Sequence, residues 1–257
     1  RREYLKYCRA FVGYFGLRVV TYCTVTALER RSPGFTVRGQ DLFKRSYAWN
    51  ARCVIIATGF YDSPRRLGVP GEDLPHVAHY YTEGHRYAGH EVLVVGAGSS
   101  AAETALDLYR EGAQVSVAMR GQGFQTKYWL EPDIENRIRE GSIGCHRGVD
   151  VVAIRPDEVE LERHTGGRIV APAEFVLAMT GFVPDTSLLA AAGAAIDPES
   201  GKPVLTEALE TTVPGMYVAG TLCAGKDANV VFVENGREHG PKIIADVLTK
   251  RKDGAAS

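Results

Sequence analysis

Residues 92–120, VLVVGAGSSAAETALDLYREGAQVSVAMR, decide the fold of this chain. Four apolar residues, 92–95, have the composition of a strand buried on both faces. They break into Gly96-Ala97-Gly98-Ser99-Ser100-Ala101; an alanine- and leucine-rich helix follows, Gly112 stops it, and residues 114–118 read as a second strand. Strand, glycine turn, helix and strand within about 30 residues make a βαβ unit. Gly96 suits the tight turn, and Gly98 lets backbone approach a pyrophosphate. Small Ala101 lets helix and sheet pack closely, while Ser99 and Ser100 open the helix whose free N–H groups face an anion. A lone glycine pattern carries little weight. Here the strand before it and the helix after it predict a dinucleotide site.

The second strand selects the dinucleotide. Sites for NAD place an acidic side chain about 20 residues on, where it binds the ribose hydroxyls. This strand ends Ala118-Met119-Arg120, with no Asp or Glu in place. A carboxylate would repel a 2′-phosphate, whereas a guanidinium bonds it through two parallel N–H groups. The expectation is NADPH, with Arg120 on the 2′-phosphate and Lys127 as a weaker second contact. The plainer alternative makes both solvated loop residues.

The 257 residues suffice for one large domain or two modest ones. Hydrophobic residues at 45% and charged residues at 24% are ordinary for a globular protein. A formal net charge of −1 gives no electrostatic reason to expect nucleic acid or an anionic membrane. No apolar run approaches the roughly 18 residues that span a bilayer. Five cysteines (Cys8, Cys23, Cys53, Cys145, Cys223) form no C-x-x-C pair and no zinc spacing, so no metal is expected. An odd count without a secretory segment points to a reducing cytoplasm. The chain opens with RREYLKYCRAFVGYF, without initiator Met or an early glycine turn. That opening reads as an amphipathic helix already under way, and predicts a chain beginning partway through its first domain.

Further on, residues 17–22 read as a strand, and 24–29 and 34–38 as antiparallel strands. Residues 51–58 form a continuous apolar strand. Residues 80–89 read as a crossover, 131–140 as a helix, and 149–155, 159–163 and 174–179 as strands. Residues 216–219 form one more buried strand, and 235–250 a closing helix. Three apolar strands end in a small residue and glycine: Thr58-Gly59, Thr180-Gly181, and Ala219-Gly220-Thr221. Each is an ordinary turn or a close backbone approach to a ligand at a sheet's carboxyl edge. Together, around one βαβ unit, they suggest that two cofactors meet.

These residues carry a resemblance. ATGFYDSPRRLGVPGED (57–73), VLVVGAGSSAAE (92–103), MTGFVPD (179–185) and VPGMYVAG (213–220) resemble the two-dinucleotide-fold flavoprotein reductases, in particular the low-molecular-weight thioredoxin reductase group. HYYTEGHRYAGHEVLVVG (79–96), TKYWLEPDIENRIREGSI (126–143) and YVAGTLCAGKDANVVFVENGREHG (217–240) are similar to its bacillithiol-disulfide reductase branch. The resemblance implies an α/β fold: a three-layer, Rossmann-like NADPH domain (84–203) inserted in a partial, discontinuous FAD-binding domain (1–83 and 204–257). It implies hydride transfer from NADPH to FAD and two electrons onward to a small-molecule disulfide, with bacillithiol disulfide the expected substrate. FAD contacts then fall on Thr58, Gly59, Gly220, Thr221 and Asn229, and coenzyme contacts reach Gly181. Three departures stand out. The first βαβ unit of such proteins is missing, with the cysteine that follows its glycine turn, so no catalytic residue is assigned. The C-x-x-C pair of thioredoxin reductases is absent, which argues against thioredoxin as substrate. Thr221 stands where many relatives carry Asp.

Among the other groups, Cys223 follows Gly220 and is a weak catalytic candidate, more simply a small loop or core residue. Cys145 and His146 adjoin on a strand and so point to opposite faces. His76, His79 and His85 lack metal-ligand spacing and read as solvated loop residues. Residues 124–129 lie over the nicotinamide or ribose, or else Tyr128 and Trp129 fill a core gap. Residues 229–236 open the last helix, where free N–H groups would face the flavin. Two other functions stay open: a flavin-dependent monooxygenase, and a truncated NADPH-binding module without catalysis. No nucleic-acid or membrane partner is expected, and a homo-oligomer is left open.

Overall fold

The computed structural model describes residues 2–255, with the side chains of residues 228, 229 and 253–255 outside the description. The chain divides into two compact units, Arg1–Phe60 with Pro184–Ser257, and Tyr61–Val183.

The Tyr61–Val183 unit is built on a parallel sheet whose strands run in the order Val77–Ala78, Phe175–Ala178, Glu91–Val95, Gln114–Met119, Gly144–Arg147. Strand alternation assigns its two faces. Val92 and Val94 turn to one side and join Ala101, Ala105 and Leu108 of the helix Ser99–Arg110, with Val115, Val117 and Ile134. Leu93, Val95 and Val176 turn to the other and meet Val149, Val159, Leu161 and Ala171. Those last residues belong to a three-stranded antiparallel sheet, ordered Arg168–Pro172, Glu158–Arg163, Val149–Ile154. The result is three layers: helix, parallel sheet, antiparallel sheet. Val92, Leu93 and Val94 are all at most 1% exposed, which explains why their run is continuously apolar. Each such side chain contributes about 1.5–3 kcal/mol by leaving water.

The other unit pairs Cys23–Arg30, Phe35–Asp41 and Ser46–Ala51 as an antiparallel sheet. Separately, Met216–Val218 lies parallel to Val54–Ile56. Leu28, Phe35, Ile56, Leu189, Met216, Val218 and Leu222 form its core.

Several expectations need correction. Residues 17–22 pair with no strand among the described residues; Leu17, Val19 and Val20 are exposed, and Tyr22 has φ 55°. Apolar composition alone makes no strand without a neighbour to bond. Ser46–Ala51 is a further strand whose alternation is aromatic and polar rather than aliphatic; Tyr47 and Trp49 stack with centroids 5.5 Å apart. The closing helix is two: Val233–Gly236 and His239–Ala255. Pro241 lies in the second one's first turn, where its missing N–H costs nothing. The compact units change over at residues 60/61 and 183/184. Val77–Ala78 bonds to Phe175–Ala178, and Leu189 and Ala192 bury against Leu28 and Met216.

Candidate functional site

Gly96 leaves the strand Glu91–Val95 with φ 140°, and its N–H donates to the Ala118 carbonyl at 2.9 Å. A Cβ here would lie 2.4 Å from the Met179 carbonyl oxygen and 3.3 Å from the Ala101 Cβ. The position therefore requires glycine for two reasons, dihedral angle and close approach. Ala101 is fully buried, so its small side chain sets the distance between helix and sheet. Gly98 differs. Its φ of −83° suits any residue, and a Cβ there would meet no described protein atom within 4 Å. It is the N-cap of Ser99–Arg110, a helix start that no described side chain caps. Uncapped amides beside open space make a cradle for an anion.

The segment after Gln114–Met119 borders this cradle. The Gln125 N–H donates to the Ala97 carbonyl at 2.7 Å, and the Thr126 hydroxyl to the Ser99 hydroxyl at 3.1 Å. Lys127 is engaged: its Nζ lies 3.0 Å from Glu103 Oε1 and 5.5 Å from the Trp129 ring centroid. Arg120 is exposed and forms no ion pair with a described residue. Tyr128 and Trp129 are 81% and 58% exposed, so they fill no core gap. Gly181 lies at the end of Phe175–Ala178, where its carbonyl accepts the Arg65 N–H at 2.9 Å and Thr180 donates to the Arg65 carbonyl at 2.5 Å.

Beside the helix Ser99–Arg110 lies a cavity of about 440 Å³. Ser100, Glu103 and Asp107 form one side, and His79, Tyr80, Tyr61 and Phe182 contribute others. The Tyr81 hydroxyl donates to Asp107, and burial, then this bond, pushes the Tyr81 phenol far up. His79 is no solvated loop histidine. Its side chain is 12% exposed, and neither ring nitrogen has a hydrogen-bond partner among the described residues. Nε2 does lie 3.4 Å from Glu72 Oε1, without the alignment of a hydrogen bond. Glu72 is itself buried and accepts the Leu67 and Gly68 N–H groups at 2.7 and 2.8 Å. Burial raises its pKa, but those two bonds, with Arg66 and His79, outweigh burial and hold it below the usual range. Residue type alone could not single out His79; its burial comes from packing. His76 bonds the Arg155 carbonyl at 3.0 Å, and His85 is exposed. No group of three or more metal-ligating side chains occurs among the described residues.

In the other unit, Thr58-Gly59 and Gly220-Thr221 follow the two paired parallel strands. The Ala219 N–H donates to the Ile56 carbonyl at 2.9 Å, so the two loops leave the sheet side by side. A Cβ on Gly59 would sit 3.7 Å from the Thr221 hydroxyl oxygen. Cys223 donates its thiol to the Val218 carbonyl at 3.4 Å and lies 3.8 Å from His239 Nδ1. That nitrogen already accepts the Gly220 N–H at 3.0 Å, and burial pushes the Cys223 thiol up to about 11. Such a thiol is a poor nucleophile at neutral pH. Cys145 is likewise pushed up, by burial. The side chain of Asn229 lies outside the described residues.

The family model "Pyridine nucleotide-disulphide oxidoreductase" matches residues 1–220. Bacilliredoxin reductase Bdr of Bacillus subtilis is 43% identical over 199 residues, covering 76% of this chain and 61% of that protein. The chain thus spans about three fifths of that relative's length. Bacillithiol disulfide reductase Bdr (YpdA) from Bacillus cereus superposes with a TM-score of 0.94 at 35% identity, over 97% of this chain and 78% of that one. A thioredoxin reductase from T. acidophilum shares the fold, with a TM-score of 0.72 at 22% identity, over 88% of this chain and 74% of that one. No described helix is long and apolar enough to cross a membrane.

Proposed function

The chain belongs to the pyridine nucleotide-disulphide oxidoreductase family, and from that premise we propose that it acts as an NADPH-dependent flavoprotein reducing a low-molecular-weight disulfide, bacillithiol disulfide. The 43% identity to Bacilliredoxin reductase Bdr carries this reading. In balance, NADPH, a proton and one disulfide yield NADP⁺ and two thiols.

For NADPH, the fit lies in the open space at Gly98, the uncapped start of Ser99–Arg110, and Arg120, a cation with no ion pair among the described residues. Amides of Ser99, Ser100 and Ala101 would hold the diphosphate, and Arg120 the 2′-phosphate. Lys127, already paired with Glu103, contributes less. For FAD, the fit lies in the two loops that leave the parallel pair together, where Thr58, Gly59, Gly220 and Thr221 offer backbone and hydroxyl contacts without a charge. A bound flavin supplies the relay between a two-electron hydride donor and a disulfide. No catalytic cysteine is assigned within this chain: burial of Cys223 and its bond to Val218 give it a structural role. The proposed setting is the cytoplasm, where thiol pools are kept reduced.

A second reading replaces the small disulfide with that of a small redox protein, which the similarity to the Bacillus subtilis bacilliredoxin reductase favours. Anaerobic NADPH oxidation decides between them. Bacillithiol disulfide should drive consumption of one NADPH per disulfide cleaved. Consumption only with a disulfide-bonded bacilliredoxin would move the assignment to the protein substrate. Consumption only with oxygen and a hydroxylated product would make the chain a monooxygenase.

A further inference from the structure

The order of the parallel sheet gives the coenzyme a direction. On the reading above, the 2′-phosphate rests on Arg120 after Gln114–Met119, and the diphosphate on the turn after the neighbouring Glu91–Val95. The adenosine half is then accounted for on one side of the turn. The remaining half must pass over the carboxyl ends of Phe175–Ala178 and Val77–Ala78, the next two strands in order. At about 4.8 Å per strand, the second lies about 10 Å from the turn, within reach of an extended ribose and nicotinamide. Those two strand ends deliver Met179 and Phe182, and His79 and Tyr80, into one cavity.

The cavity has the chemistry such a group requires. A nicotinamide is a flat ring with apolar faces and a carboxamide that both donates and accepts. At about 440 Å³ the cavity has room for it. Tyr61, Tyr80 and Phe182 form a cluster of rings with centroids 4.6–5.5 Å apart. The Tyr80 hydroxyl donates to the Tyr61 carbonyl at 2.9 Å, which holds this wall in place. His79 lines the same cavity with two buried nitrogens that make no hydrogen bond among the described residues, Nε2 lying 3.4 Å from Glu72 Oε1. Buried polar atoms are nearly always satisfied, so an orphaned imidazole in a ligand-sized cavity calls for a ligand group. Glu72, anchored by two backbone N–H groups, stands behind the ring.

We propose that this cavity seats the nicotinamide end of NADPH, with the ring against Tyr61, Tyr80 and Phe182 and the carboxamide bonded to His79. The inference rests on the NADPH reading and deepens it. His79 and Tyr80 then serve the coenzyme's reactive end, while Arg120 serves its adenosine end.

Calorimetric titration of the full chain with NADPH and with 2′,5′-ADP, which lacks the nicotinamide half, separates the two ends. His79→Leu and Tyr80→Ala should each weaken NADPH binding by about tenfold, the value of roughly one hydrogen bond or ring contact. Both should leave 2′,5′-ADP within about twofold of the parent. His79→Gln, which restores a donor and an acceptor, should recover much of the NADPH loss. Should His79→Leu lose both ligands through disturbed packing, the half-exposed Tyr80 decides alone. Unchanged NADPH affinity in Tyr80→Ala and His79→Leu overturns the nicotinamide assignment and leaves the coenzyme reading standing. Failure of 2′,5′-ADP to bind the parent chain would instead remove the coenzyme reading itself.

Discussion

Arg120 and Lys127 are two cations within one loop region, and their surroundings separate their roles. Lys127 is neutralised by Glu103 and leans on Trp129, whereas Arg120 faces solvent with no carboxylate at hand among the described residues. An unpaired guanidinium can meet a phosphate with no prior bond to break. Charge-assisted hydrogen bonds contribute about 1.5–3 kcal/mol. Arg120→Ala should therefore weaken NADPH by about tenfold to a hundredfold and leave NADH nearly unchanged. Equal losses for the two coenzymes would count against a 2′-phosphate contact. Cys223 shows the same lesson with opposite sign. It follows Gly220 in the loop, where burial pushes its thiol up to about 11 and the thiol donates to the Val218 carbonyl.

At the scale of elements, the turn from Glu91–Val95 into Ser99–Arg110 contains two glycines with different reasons to exist. Gly96 has φ 140° and the Met179 carbonyl 2.4 Å from where a Cβ would stand. Gly98 has an ordinary φ and empty space. Gly96→Ala should cost at least about 2–3 kcal/mol, from backbone strain together with a shifted strand end. Gly98→Ala should change stability by no more than about 1 kcal/mol, yet fill the space into which a diphosphate would fit. Urea unfolding with NADPH titration distinguishes them. A Gly98→Ala variant that binds NADPH normally would show the cradle to be a structural turn.

At the scale of the molecule, each unit has its own core: Val92, Val94, Ala101 and Ile134 in one, Phe35, Ile56, Met216 and Leu222 in the other. A ligand that binds only the folded Tyr61–Val183 unit stabilises it by mass action, by about 2.7 kcal/mol at a hundredfold excess over Kd. With 2′,5′-ADP in that excess, the amides of Glu91–Val95 should exchange up to about a hundredfold more slowly. Those of Phe35–Asp41 should stay near their free rate. Equal protection of both strands would show that the ligand does not act on one unit.

What could be read from the sequence was local. Residues 92–120 hold their whole pattern in one stretch: an apolar run, two glycines, a helical stripe and a second strand. Each part follows from neighbours a few residues away, so the βαβ unit and its glycine turn were legible, and the helix over 131–139 likewise. Tertiary structure alone decided the rest, because the deciding partner was remote in sequence. Residues 17–22 are apolar yet unpaired among the described residues, while the short Gly144–Arg147 becomes a strand beside Gln114–Met119. Val77–Ala78 joins the parallel sheet only because Phe175–Ala178, almost a hundred positions later, bonds to it. His79 follows that strand, and burial beside Glu72 removes it from water. A sequence names the groups that can bond; whether a given imidazole is solvated or orphaned depends on what distant segments fold over it.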